Sequence, residues 1–137
     1  MSILLQSNQV VSLLNADATI SVYDSGKIHV CPQTAGAVNI TLTLPVVQAG
    51  LHYRFINGAA AALSGSVIIA GSAANLLRGN IIQGPVGGLL GVSVAGSSNI
   101  RFVTAVSLRG DYIDLYCDGV CWLVSAATMI AVGITAA

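Results

Sequence analysis

The sequence predicts an all-β sandwich in a single domain, and three observations carry that prediction. Apolar residues alternate with polar ones at period two in several stretches, which is the pattern of half-buried strands. Turn signals recur at short intervals from about residue 24 onward, the spacing of a sandwich or barrel. Helix signals are poor: the alanine run at 59–63 is closed in by Gly58 and Gly65 and is too short to hold a helix. The 137 residues suffice for one core. They divide into an apolar N-terminal arm or edge strand over 1–17 and a sandwich over 18–137, with 125–137 as an apolar C-terminal strand or arm.

Strands are expected at 18–23 and 27–31, followed by the clearest one at 37–44. There Val38, Ile40, Leu42 and Leu44 alternate with Ala37, Asn39, Thr41 and Thr43 until Pro45, which cannot donate to a ladder. Gly50 opens the next, in which Leu51, Tyr53 and Phe55 face inward and His52 and Arg54 outward, and Asn57-Gly58 marks its turn. Further strands are expected at 66–70, 76–82, 89–95 and 99–108. The last hairpin sets Ile113, Leu115 and Cys117 against Tyr112, Asp114 and Tyr116 before Asp118-Gly119. A two-residue turn pairs Cys117 with Val120 and a four-residue turn pairs it with Trp122. Either even length keeps Trp122 and Val124 on the apolar face.

Composition narrows function. Only 7% of the chain is charged, against 55% hydrophobic, and the net charge is zero. A surface so poor in charge lacks the repulsion that keeps solutes apart, so self-association is expected. Lys27, Arg54, Arg78, Arg101 and Arg109 are scattered, which argues against a nucleic-acid partner. No basic stretch precedes an apolar run at Met1, so assembly in a cell's cytoplasm is expected rather than export by a signal peptide. The uncharged stretch 119–137 is long enough to suggest a membrane span, but it begins in a hairpin and has no basic flank, so no membrane partner is expected.

Catalytic constellations are missing from the pattern. Cys31, Cys117 and Cys121 read as free structural thiols, and neither His29 nor His52 has a ligand partner at metal-site spacing. Asp111, Asp114 and Asp118 could mimic paired acids or a calcium site, although carboxylates at a strand and its turn explain them. Arg109-Gly110-Asp111 spells an adhesion tripeptide. No nucleophile elbow, phosphate loop or dinucleotide fingerprint occurs. No enzyme activity, catalytic residue, cofactor, metal or small-molecule substrate is therefore expected, and Trp122 is assigned to the core.

Two stretches carry a resemblance. Leu44-Pro45, a short loop, then Gly50-Leu51-His52-Tyr53-Arg54-Phe55-Ile56-Asn57 is one; Gly110-Asp111, apolar alternation, then Asp118-Gly119 and Trp122 is the other. In order and separation they resemble bacteriophage and large-virus structural proteins, including head decoration (cement) proteins and tail-fibre modules, over residues 39–124. The resemblance implies a jelly-roll-like antiparallel β-sandwich, a homotrimer, and a place on the virion's capsid surface with no catalytic residues to carry over. The cysteine-bearing hairpin and the apolar tail depart from it.

The expected function is thus a cement protein that binds itself and the major capsid protein through apolar arms. Candidate contacts are Ile3, Leu4, Leu5, Val10, Val11, Leu13 and Leu14 at one end and Met129, Ile130, Val132 and Ile134 at the other. The alternative is a tail-fibre or receptor-binding module that recognises a host glycan through Tyr112, Asp114 and Tyr116, where aromatics and a carboxylate coincide.

Overall fold

The computed structural model describes residues 11–33, 36–84 and 90–137. In chain order the strands are β1 (Val11–Leu13), β2 (Ala18–Thr19), β3 (Ile28–Cys31), β4 (Ile40–Thr43), β5 (His52–Asn57) and β6 (Val67–Ala70). They continue with β7 (Leu77–Gln83), β8 (Leu90–Ser97), β9 (Asn99–Phe102), β10 (Tyr112–Cys117), β11 (Trp122–Thr128) and β12 (Ile134–Ala136). Two sheets result. The larger is ordered β1-β3-β5-β10-β11-β7-β8, the smaller β12-β9-β6-β4-β2.

The expected antiparallel jelly roll is not what forms, because both sheets are mixed. The first six strands alternate between the sheets, so β1, β3 and β5 run parallel in the larger sheet while β2, β4 and β6 run parallel in the smaller. A chain that crosses to the other sheet after every strand returns in the same direction each time, and neighbours end up parallel. From β7 onward hairpins take over: β7 with β8 and β10 with β11 are antiparallel, although β11 lies parallel to β7.

Inward residues from both sheets meet in one core. Tyr53, Phe55, Leu77, Ile81, Ile113, Leu115 and Trp122 of the larger sheet oppose Leu42, Val67, Ile69, Ile100, Phe102 and Ile134 of the smaller, each no more than 1% exposed. At about 1.5–3 kcal/mol for each fully buried large side chain, this interface dominates stability. Gly79 lets β7 approach β11: its φ is +148°, and a Cβ there would run into the Val124 backbone.

Three expected strands are shorter than their patterns. Residues 18–23 yield only β2, because Ser21 caps a 3₁₀ turn over Val22–Asp24. Its Oγ accepts from Tyr23 N, and Asp24 Oδ2 accepts from Ser21 N. In 37–44 the strand starts at Ile40, leaving Val38 66% exposed. After β9 the chain turns instead of continuing to residue 108, with Ala105 at φ +60°. The stretch 119–137 forms β11 and β12, and among the described residues no helix is long and apolar enough to cross a membrane.

Candidate functional site

The outward face of the larger sheet gathers the exposed chemistry, and strand register arranges it in three bands. At one end Ile56, Tyr112, Ala127 and Ile82 stand side by side across β5, β10, β11 and β7. The middle band is polar: Arg54, Asp114, Ser125, Asn80 and Ser93. His52, Tyr116, Leu123 and Arg78 make the third. Period-two alternation puts these residues outside because their neighbours Tyr53, Phe55, Ile113 and Leu115 are needed inside.

The middle and third bands enclose a cleft of about 280 Å³ lined by Gly26, Lys27, His52, Arg54, Asp114 and Tyr116. Arg54 Nε donates to Asp114 Oδ1 at 2.7 Å and a second guanidinium nitrogen to Oδ2 at 2.9 Å, a bidentate pair. The Asp114 hydrogen bond raises the Arg54 pKa. The guanidinium also lies 4.8 Å from the Tyr112 ring centroid, which fixes its plane. His52 and Tyr116 stack, centroids 5.6 Å apart and rings 13° from parallel, and Tyr116 remains 51% exposed. At the rim Lys27 Nζ donates to Asp24 Oδ1 at 2.7 Å, and that bond holds the Asp24 carboxyl below its usual range.

A second concavity lies at the opposite end of the face. It is apolar, about 360 Å³, and lined by Ile82, Gly84, Tyr112, Ala127 and Met129 with Asp111 beneath. Met129 is 52% exposed, and Ile130 and Val132 follow on the same exposed loop. Of the expected C-terminal contacts, these three stand on the surface. Ile134 does not: it is 0% exposed in β12, hydrogen-bonded in register to β9, and belongs to the core. At the other terminus Ile3, Leu4, Leu5 and Val10 lie outside the described residues. Val11 and Leu13 belong to β1, and Leu14 packs half-buried against the core.

The three aspartates that looked like a cluster are separated. Asp111 is 1% exposed and faces inward, where it accepts from Ser107 Oγ and Thr128 Oγ1 at 2.8 Å and from the N–H of Leu108 and Met129 at 2.9 Å. With both oxygens occupied, it cannot serve as the acidic tip of an Arg109-Gly110-Asp111 display loop. Asp114 faces outward, and Asp118 sits in the hairpin turn, where its Oδ1 accepts from Val120 and Cys121 N and its pKa is lowered by those bonds. Among the described residues no group of three His, Cys, Asp or Glu side chains could hold a metal ion.

The histidines are also apart. His29 points into the core, 1% exposed and stacked 5.1 Å from Phe55, and burial pushes its pKa down from 6.5. His52 is on the outer face. Cys31 is fully buried, and burial pushes its thiol up to about 12. Cys117 is buried and accepts from Gln48 N through Sγ, while Cys121 lies in the turn with its thiol pKa raised by burial and by Asp118. Lys27 and Gly26 joined the cleft unannounced by the sequence: they come from the turn before β3, which reaches β5 through Gly26 N donating to His52 O at 2.9 Å. No family model matches the chain, and no curated protein or solved structure is significantly similar to it.

Proposed function

We propose that the chain is a non-catalytic assembly module, a capsid decoration protein that forms a homotrimer and attaches to the major capsid protein by apolar contacts. The observation that carries this reading is the apolar end of the outer face and the loop that leaves it for β12: Ile82 and Met129 at the groove and Ile130 and Val132 in the loop are each between 39% and 55% exposed. The only carboxylate lining the groove there, Asp111, is turned inward. Large apolar side chains exposed together, without charge, mark a surface that is covered in the working state. Edge strand β8 supports the same reading, since Leu90–Ser97 contains no charged residue to discourage pairing with another chain. The viral assignment draws on the resemblance of the two sequence motifs.

Native mass measurement of the purified chain tests it. A trimer is expected, and Ile130→Asp, at a site exposed enough not to disturb folding, should shift it to monomer. Because the contact is uncharged, NaCl should change the trimer fraction little. A chain that remains monomeric at about 100 μM would remove the reading, since assembly weaker than that supplies less than about 6 kcal/mol.

A further inference from the structure

We propose that the cleft between β3, β5 and β10 binds a neutral saccharide, a function independent of assembly at the other end of the face. Two kinds of group meet there. The stacked His52 and Tyr116 rings offer a flat apolar surface with half of Tyr116 open to solvent, which suits the C–H face of a pyranose. Beside them the Arg54 and Asp114 pair is held rigid, the carboxylate by two hydrogen bonds and the guanidinium by those and by the Tyr112 ring.

The bidentate contact uses two N–H donors of Arg54 and one lone pair on each Asp114 oxygen, so donors remain on Arg54 and acceptors on Asp114. A vicinal diol can donate one hydroxyl to Asp114 and accept at the other from Arg54 without breaking the pair. Concavity of about 280 Å³ matches one or two sugar rings in contact with the surface rather than an enclosed ligand.

Charge decides the class of sugar. Both cations at the cleft are already neutralised, Arg54 by Asp114 and Lys27 by Asp24. A sialylated or sulfated glycan would have to compete with these carboxylates, and a neutral one would not. Backbone geometry keeps the site open. Gly26 adopts φ +87°, and its N–H ties the turn before β3 to His52 O.

The test is a glycan array carrying neutral and acidic oligosaccharides, probed with the full-length chain, followed by NMR titration of the best neutral binder up to about 10 mM, enough to detect a millimolar Kd. Neutral binding is expected, with shifts at Lys27, His52, Arg54 and Tyr116. Tyr116→Ala should weaken it about tenfold or more, a loss of about 1.4 kcal/mol, and Tyr116→Phe should keep it. Native mass should stay unchanged in both variants. No binding, binding confined to acidic glycans, shifts elsewhere on the surface, or a Tyr116→Ala variant that binds as well as the parent would each overturn the proposal.

Discussion

Asp111 and Asp114 are three residues apart, yet one is sealed inside the fold and the other stands at its surface. Asp111 accepts four hydrogen bonds from two segments of chain, tying the loop before β10 to the end of β11. Asp114 makes one bidentate pair with Arg54 across neighbouring strands, with the Arg54 side chain 44% exposed. An odd spacing along a strand changes the face, and the face decides whether a carboxylate organises backbone or meets ligands. Their chemistry is the same; only their surroundings differ.

The largest break in that comparison is Asp111→Ala. It strands two backbone donors and two hydroxyls at a buried position, and thermal or urea unfolding should show a loss of about 3–5 kcal/mol. Asp111→Asn keeps the shape but turns an amide N–H toward donors, so a loss of about 1–3 kcal/mol is expected. If either variant proved as stable as the parent, the four-bond hub would carry no weight.

The inner face should also make stability depend on pH. Cys31 and Tyr53 are both raised by burial to about 12, from 9.0 and 10.0. Unfolded chains lose these protons first, so the folded state binds more protons and stability falls as pH rises from about 9 toward 12. At pH 10.5 the Cys31 contribution alone is about 2 kcal/mol. His29 acts on the acid side: with its folded pKa depressed, the unfolded state takes up the proton first, and stability falls as pH drops below 6.5. Denaturant titrations from pH 5 to 11 measure both limbs, and His29→Phe should flatten the acid one.

The smallest stability effect belongs to the outer pair. Asp114→Asn should cost no more than about 1 kcal/mol, because an ion pair this exposed is screened by water and salt. Saccharide binding should nonetheless fall, as the amide has one acceptor oxygen where the carboxylate has two. A stability loss comparable to that of Asp111→Ala would mean that the two carboxylates do the same work after all.

Much of this was legible before the fold was known, and the rest was not, for reasons that individual residues make plain. Alternation from Leu51 to Phe55 and from Tyr112 to Cys117 sorted inside from outside correctly, because period two follows from strand geometry alone. The hairpin turn had two possible lengths, and the four-residue one is seen, with Cys117 opposite Trp122. Asp118 Oδ1 stabilises it by accepting from both Val120 and Cys121 N, a choice that depends on side-chain placement.

The sequence by itself therefore determined the all-β class, the positions of most strands and which residues face the core, since each is a local consequence of hydrophobic period and turn chemistry. Tertiary structure alone decided that β1, β3 and β5, like β2, β4 and β6, run parallel, that Asp111 is buried while Met129 is not, and that Lys27 and Tyr116 line one cleft. Strand partners are chosen by contacts between segments far apart in the chain, and nothing in a local pattern encodes which distant strand will supply the missing hydrogen bonds.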